Sequence, residues 1–220
     1  MTNDFDFGKF GGLLYEASKA AFLDVQQAHT DERFYLFALF TCGDLGYVVP
    51  TASTEEGLTQ VAQEYAKKER YQEFSLQQLR EDLRWSPADS PLHLDGEEHF
   101  HAVNKLAEHI PSILYEIPTD DSWDEFNTFC DKVLGVYVEV LKQLDAEGIF
   151  GVGEQRDSVL LNILMGDQGS DEWLRYAKLL NPEAVYRHFE KKYRAWLLEM
   201  NRRYQAWLLE QEWSKGKSEG

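Results

Sequence analysis

The first fifty residues contain two different spacings of apolar positions. Between residues 7 and 29, apolar side chains recur every three to four positions, which predicts an amphipathic first helix. Residues 33–41 are apolar at nearly every position, which is typical of a strand covered on both faces. The turn-forming residues 42–46 then predict a short paired strand over residues 46–50, ending at Pro50.

Two capping boxes mark the starts of further helices. Ser53 and Glu56 precede apolar positions at helical spacing, so we expect a helix from there to about residue 68. Ser122 and Glu125 repeat this arrangement before a longer apolar stripe, which predicts a long central helix.

The last third of the chain predicts a strand and a long helix. Residues 157–166 form an apolar run before a turn, which indicates a third strand. Residues 183–213 predict one helix, in which the pattern Tyr-x-Ala-Trp-Leu-Leu-Glu occurs twice, eleven residues apart. Eleven residues are close to three helical turns, so Trp196 and Trp207 share a face. That face either packs on its own domain or forms a homodimer or another partner contact.

Together these elements predict an α+β fold with a small, mostly antiparallel sheet packed by several helices. The strands are expected near residues 33–41, 46–50 and 157–166. We expect a single domain over residues 1–182, with the helix of residues 183–213 packed on it. Residues 214–220 are polar and predict a disordered tail.

The formal net charge of −17 indicates which kinds of molecule the chain can bind. The charge is concentrated in residues 1–182, where 33 acidic and 14 basic residues give −19. Such a body repels a phosphate backbone, so nucleic-acid binding is disfavoured. It attracts a basic protein and accelerates association with it. Solubility alone is the competing explanation of the charge.

The cysteines and the N-terminus indicate a cytoplasmic protein. Cys42 and Cys130 lie far apart and show no CxxC spacing, so nothing suggests a secreted disulfide scaffold. The first ten residues lack the basic and apolar regions of a signal peptide, and no run of about 18 apolar residues occurs. We therefore expect a reducing compartment and no membrane insertion.

No motif in the chain specifies a catalytic reaction, because the phosphate-loop, zinc-protease and serine-hydrolase signatures are absent. We expect no cofactor. Four histidines lie within seventeen residues, at His93, His99, His101 and His109. Their spacing matches no common metal site, so we interpret them as solvated or capping residues. Cys42, beside Asp44, has no basic residue close in sequence and is interpreted as a buried turn cysteine.

An acidic segment between residues 86 and 131 is the main candidate binding surface. Its eleven acidic residues and one lysine give a net charge of −10. Helix starts favour Asp and Glu and explain only part of this clustering. The candidate partner-binding residues are Asp89, Asp95, Glu97, Glu98, Glu108, Glu116, Asp120 and Asp121. They predict a docking surface for a basic protein.

An enzyme or a small-molecule-binding domain is the alternative. Its site would lie at the expected strand ends, near residues 42–46 and Asp167, with Arg84 from a neighbouring loop holding an anion. A deep concave pocket there would favour this alternative, whereas a flat or convex acidic surface would favour protein binding.

Several stretches of the chain carry a family resemblance. They are FYLFALFTCGDLGYVVPTASTEEGL at residues 34–58, LRWSPAD at residues 83–89, the strand at residues 159–167 and LNP at residues 180–182. With these stretches the chain resembles a bacterial family known only as domain-of-unknown-function family 4303, over most of residues 7–182.

The resemblance implies a small cytoplasmic α+β protein and supplies no catalytic residues. Small acidic proteins of this kind are similar in role to immunity proteins, which bind and neutralise a toxin; this is an analogy of fold class. We therefore expect a non-enzymatic immunity protein that covers a basic toxin domain.

Overall fold

The computed structural model describes residues 5–117, 123–166 and 169–218, with side chains to residue 209. In chain order the elements are α1 (Phe7–Ala28), β1 (Phe34–Thr41), β2 (Val48–Thr54), α2 (Glu55–Ala66), α3 (Leu76–Leu83), α4 (His101–Ala107), α5 (Ile110–Glu116), α6 (Asp124–Ala146), α7 (Glu154–Asp157), β3 (Leu160–Met165), α8 (Ser170–Leu180) and α9 (Glu183–Ser218). Short 3-10 helices at Glu69–Tyr71, Pro87–Asp89 and Glu97–Phe100 lie in the connections.

The three strands form one mixed sheet in the order β2-β1-β3. β1 pairs antiparallel with β2, where Leu39 lies opposite Pro50, and parallel with β3, where Leu39 lies opposite Ile163. The small sheet, the surrounding helices and the long last helix confirm the α+β class. The expected mostly antiparallel pairing is corrected to one pair of each kind. A long, mainly helical connection between β2 and β3 allows β3 to return parallel to β1.

Several predicted boundaries differ in the structure. β3 begins at Leu160 rather than near residue 157, which ends α7, and β2 begins at Val48 rather than at residue 46. β2 continues past Pro50 to Thr54, because β2 is an edge strand and tolerates a proline. Helix α2 is capped by Thr54, whose Oγ1 accepts a hydrogen bond from the Gly57 N–H at 3.0 Å. The predicted capping box of Ser53 and Glu56 is therefore wrong, since Ser53 stays in the strand. The second predicted box cannot be compared in this way, because Ser122 lies outside the described residues.

The main core lies between α1, α6 and the sheet. Its largest fully buried side chains include Phe10, Phe22, Phe37, Tyr137 and Leu141. Burial of each such side chain stabilises the fold by roughly 1.5–3 kcal/mol. The apolar stripes predicted for the first and central helices are thus the buried faces of α1 and α6. A smaller buried cluster, which joins α2 to α3, consists of Leu58, Ala62, Leu79 and Leu83.

A buried arginine joins the elements around β3. Arg156 is 7% exposed and forms an ion pair with Asp145 at the end of α6. Its Nη1 donates a hydrogen bond to the Val159 carbonyl at 2.7 Å, and its Nη2 donates to the Leu180 carbonyl at 3.3 Å. The buried charge is therefore paired and its donors are used, as burial of a guanidinium requires. The network ties the start of β3 and the end of α8 to α6.

The chain divides into two compact units after Tyr186, so α9 begins in the first unit and forms the second. A helix was predicted over residues 183–213, and the observed helix is Glu183–Ser218. The packing of this helix on residues 1–182 and the disordered tail from residue 214 stay predictions.

The eleven-residue repeat of α9 is also a repeat of side-chain contacts. The rings of Tyr193 and Trp196 stack with centroids 5.7 Å apart. Eleven residues later, Tyr204 and Trp207 stack with centroids 6.0 Å apart. Since the same contact recurs after about three turns, the aromatic face continues along the helix.

Candidate functional site

The segment of residues 90–98, which we call the strap, covers the outer edge of β2. The Ala52 N–H donates a hydrogen bond to the Leu92 carbonyl at 3.2 Å, and the Leu94 N–H donates to the Pro50 carbonyl at 3.1 Å. These bonds satisfy backbone groups that an edge strand otherwise leaves open. The strap is therefore held to the sheet by its backbone and also by side chains, since the Ser90 hydroxyl donates a hydrogen bond to the Ala52 carbonyl at 2.7 Å and His93 Nδ1 lies 2.9 Å from Thr51 Oγ1.

A glycine contact directs the strap over α1. Gly96 adopts φ +85°, a conformation that favours glycine, and a Cβ at this position would lie 2.8 Å from the Ala21 Cβ. Leu94 also has positive φ, at +72°. The chain therefore turns sharply and touches α1, which brings the acidic side chains of the strap close to those near the end of α1.

Five carboxylates lie on three segments that pack together in this region, and three of them, Asp24, Glu32 and Asp95, are linked by histidine contacts. They belong to α1, to the loop after it and to the strap, and we call them the acidic face: Asp24, Glu32, Asp95, Glu97 and Glu98. Within the described part of the chain, no lysine or arginine forms an ion pair with any of them. Among the described residues, the negative charge of the acidic face is therefore not neutralised by a lysine or arginine side chain.

Two histidines contact three carboxylates of the acidic face. His99 Nε2 lies 2.8 Å from Asp24 Oδ2. His29 Nδ1 lies 2.9 Å from Glu32 Oε1, and its Nε2 lies 3.7 Å from Asp95 Oδ2. A hydrogen bond from the Thr54 hydroxyl is the main cause that holds the pKa of Glu32 below its usual value, so this carboxylate stays charged at neutral pH.

Exposed apolar side chains accompany the acidic face. Leu23 is 45% exposed beside Asp24, and Leu94 is 39% exposed beside Asp95. Protein-binding surfaces combine apolar contact area with a polar rim. The region therefore offers a partner both charge and area to bury.

Asp89, one of the predicted binding residues, belongs to the interior packing rather than to the acidic face. Its carboxylate accepts hydrogen bonds from the Tyr65 hydroxyl at 2.6 Å and from the Ser86 hydroxyl. The bond to Asp89 is the main cause that raises the pKa of Tyr65 to about 12. Asp89 therefore joins α2 to the 3-10 helix at Pro87–Asp89.

The other predicted acidic residues are distributed unevenly. Asp95, Glu97 and Glu98 lie together on the strap and its 3-10 helix. Glu108 follows α4 and Glu116 ends α5, and both are exposed. The remaining two, Asp120 and Asp121, lie outside the described residues.

Two members of the acidic face were missed by the sequence reasoning. Asp24 lies on α1 and Glu32 follows it, about sixty residues before the strap. An exposed acid on an amphipathic helix has no distinguishing pattern. Tertiary contacts bring these segments together, among them those of Gly96 with Ala21 and of His99 with Asp24.

The alternative site is not assembled as predicted. The Cys42 thiol lies 2.7 Å from Asp44 Oδ1, to which it donates a hydrogen bond. Burial, followed by this bond, raises the pKa of Cys42, which opposes its use as a nucleophile. Asp167 lies outside the described residues.

Arg84 lies at the opposite end of β1 from Cys42. Its guanidinium stacks over the Tyr35 ring at 4.4 Å, and Tyr35 is seven residues, or about 23 Å of strand, from Cys42. Arg84 Nη2 also donates hydrogen bonds to both carboxylate oxygens of Glu55, at 2.7 and 2.6 Å. The guanidinium is therefore committed to the junction of α2 and α3, and the expectation that Arg84 joins a site at residues 42–46 is wrong.

An open groove of about 600 Å³ lies between α1 and α6. Its floor is partly backbone, because Gly12 and Gly135 face it and a Cβ at either would meet no atom within 4 Å. Lys132 and Glu139 line its rim. A much smaller cavity, of about 10 Å³, adjoins Tyr35 and is the size of one water molecule.

The histidine cluster does not form a metal site in the described part of the chain. Over residues 5–117, 123–166 and 169–209, no three His, Cys, Asp or Glu side chains converge in a metal-binding geometry. Over the same ranges no helix is both long and apolar enough to cross a membrane.

Comparison with known proteins identifies a family of unassigned role. The model of a family described as a domain of unknown function, DUF4303, matches residues 14–182, which is more than half of the chain. No curated protein and no solved structure matches the chain. The match therefore brings no activity, ligand or partner with it.

Proposed function

Because the chain belongs to the DUF4303 family, whose description names no activity, we propose a function from the surface of the molecule: it binds a basic protein through the acidic face and catalyses no reaction. The observation that supports this proposal is a set of five carboxylates on three segments that pack together, beside exposed Leu23 and Leu94, with no lysine or arginine pairing them among the described residues. A site of this kind recognises lysine and arginine side chains on a partner.

The charge of the whole body supports fast association. Residues 1–182 carry −19, and a field of this sign raises the association rate of a basic partner by about 10- to 1,000-fold at low salt. The fixed position of the strap on β2 limits the ordering cost of binding. The surface is thus suited to a rapid and tight contact.

The specific role we propose is that of a bacterial immunity protein, which neutralises a basic toxin domain by covering it. Inhibition of a toxin before it acts requires rapid capture, which the charge of this body favours. A cytoplasmic location is part of the proposal and agrees with the free thiols of Cys42 and Cys130. An enzymatic role finds less support, since Arg84 and Cys42 lie at opposite ends of β1.

The proposal is tested on the protein that co-purifies with the chain from its source cells at low salt. The triple variant Asp95→Asn, Glu97→Gln, Glu98→Gln removes three charges from the strap. We expect its association rate with that partner to fall about tenfold at low salt, and the salt dependence of the rate to flatten.

A matched control removes the same number of charges elsewhere. The side chains of Glu73, Glu139 and Asp157 are exposed and lie outside the acidic face. The variant Glu73→Gln, Glu139→Gln, Asp157→Asn should keep the association rate within about twofold of the wild type. If the two triple variants change the association rate equally, the acidic face is not the binding site.

Neutralisation is tested by growth. Cells that express the captured partner alone should stop growing, and co-expression of the chain should restore growth. The strap variant should restore growth less well than the control variant, while both accumulate to the same level. A partner that is harmless when expressed alone would rule out the immunity role and leave the binding role in place.

A further inference from the structure

Helix α9 has a second regular face besides the aromatic face. Seven exposed residues follow one another at intervals of four, three, four, four, three and four, which places them on a single second face. We call this the basic stripe: Arg187, Lys191, Arg194, Leu198, Arg202, Gln205 and Leu209.

The basic stripe has the chemistry that the acidic face lacks. It contains four cations and no anion. Leu198 is 72% exposed and Leu209 is 66% exposed, so the stripe also has apolar contact area. Arg187 and Arg194 pair with Glu190 at 3.3 and 3.0 Å, and Arg202 pairs with Glu199 at 3.7 Å. The three guanidinium groups are exposed, and such pairs within a helix are weak and can exchange for a partner.

A polyanion is a poor partner for this stripe. The chain as a whole carries −17, so nucleic acid and anionic lipid are repelled by the body that would approach them together with the helix. A protein whose acidic residues are confined to one surface does not repel the negatively charged chain along its whole length, as a polyanion does. The chain itself provides such a surface.

We propose that the basic stripe of one copy binds the acidic face of a second copy, and that the exchange is reciprocal. The inference rests on the proposed function, since it uses the acidic face as a binding site for basic protein. Four cations meet five carboxylates, and Leu198 and Leu209 meet a surface that exposes Leu23 and Leu94. A reciprocal exchange closes at two copies and leaves no unpaired stripe.

Self-association is measured first on the full chain at micromolar concentration by analytical ultracentrifugation. We expect a mass of twice 25.6 kDa at low salt and a shift to the monomer as salt rises. A monomer at low salt would overturn the inference.

A charge exchange tests which surfaces meet. The face variant carries Asp95→Lys, Glu97→Lys and Glu98→Lys, and the stripe variant carries Lys191→Glu, Arg194→Glu and Arg202→Glu. Each variant alone should be monomeric, because like charges then face each other.

A one-to-one mixture of the two variants should dimerise again. In the mixed pair each contact joins one basic and one acidic surface, so both contacts are restored. In the control mixture of the stripe variant with wild type, the mixed pair has one repelled contact. A tagged stripe variant should therefore be found in dimers less often there than in the mixture with the face variant. A face variant that stays dimeric by itself would mean that α9 pairs with α9, and a mixture that stays monomeric would exclude the exchange; either result overturns the inference.

The proposed function is kept distinct by a separate probe. A lysine- and arginine-rich peptide should bind the wild type and lose at least tenfold affinity for the face variant. If the face variant loses affinity for the peptide while the wild type is a monomer, the acidic face is a binding site and only the proposed pairing of two copies is wrong. If the peptide binds both chains equally, the proposed function is wrong.

Discussion

Asn181 closes the outer edge of β3 through Leu161. The Asn181 Oδ1 accepts a hydrogen bond from the Leu161 N–H at 2.8 Å, and its Nδ2 donates to the Leu161 carbonyl at 2.7 Å. One amide thus occupies both backbone groups of an edge residue, as a neighbouring strand would. The same Nδ2 donates to the Ala177 carbonyl at 2.7 Å, which ties the last turn of α8 to the strand.

Replacement of Asn181 by Ala should destabilise the fold by about 2–4 kcal/mol, because it leaves backbone groups of β3 and α8 without partners. Urea unfolding followed by circular dichroism measures the change. Asn127→Ala, at an exposed position on α6, is the control and should stay within about 0.5 kcal/mol of the wild type. Equal midpoints for the two variants would contradict the role of the amide.

Arg156→Met should cost about 3–5 kcal/mol, because it leaves the Asp145 carboxylate without its cation in a largely buried setting. The double variant Arg156→Met, Asp145→Leu removes both charges and should recover part of that loss. Unfolding midpoints of the two variants measure the recovery. A double variant no more stable than Arg156→Met would show that the unpaired Asp145 carboxylate is not the source of the loss.

The stability of the chain should depend on Glu55 at acid pH. Burial alone raises the pKa of Glu55, but the hydrogen bond from Arg84 and the charges of Arg84 and Arg80 outweigh it and hold that pKa below 4.5. The folded-state pKa lies below the unfolded value, so the stabilisation is complete above pH 4.5 and is lost as pH falls through the folded-state pKa.

Glu55→Gln should therefore weaken the fold at neutral pH and flatten the fall in stability below pH 4.5. Unfolding free energies measured at several pH values give the slope. The control is Glu73→Gln, an exposed position that should keep the wild-type slope. A Glu55→Gln slope as steep as that of the wild type would assign the acid sensitivity to other groups.

Gly96→Ala should destabilise the fold by at least about 1–2 kcal/mol, since the left-handed conformation alone costs that much and the new Cβ meets Ala21. The second change Ala21→Gly removes the contact with the Ala21 Cβ but leaves the Cα of residue 21 at 3.0 Å, so it should restore only part of the stability. Hydrogen exchange at the Ala52 and Leu94 amides reports whether the strap loosens. Unchanged exchange would show that the strap is held by β2 alone.

Gly135→Ala should stabilise the fold by about 0.5–1 kcal/mol. Gly135 lies in the middle of α6 and its added Cβ would meet no atom within 4 Å, so alanine adds helix propensity without a clash. A thermal unfolding scan measures the gain. Gly46→Ala is the contrasting change, because its Cβ would lie 2.9 Å from Pro111 Cγ, and it should lower stability.

The periodic parts of this fold were predictable, because their apolar spacing follows from burial. The first helix and the central strand have that spacing, and α1 and β1 are found there. The start of α2 was misplaced by one residue, since Ser53 and Thr54 are both good caps and sequence alone does not rank adjacent candidates. The parallel return of β3 depends on contacts across a long connection, which local patterns do not contain.

The candidate site was predictable only in part. Asp95, Glu97 and Glu98 stood out because they are neighbours in sequence. Asp24 joins them through the contact of Gly96 with Ala21, which no periodicity indicates. Asp89 was predicted to be a binding residue. Its hydrogen bond with Tyr65 could not be predicted, because Tyr65 lies on a different helix, 24 residues away in sequence.

The strap has a consequence for how the family can vary. The same nine residues shield the backbone of β2 and carry three of the five carboxylates of the acidic face. A change that loosens the strap to alter recognition also exposes an unpaired strand edge, to which other chains can add. If the acidic face binds a partner as we propose, its variation is constrained by aggregation, and substitutions that preserve the backbone path of the strap are the tolerated route to a new partner.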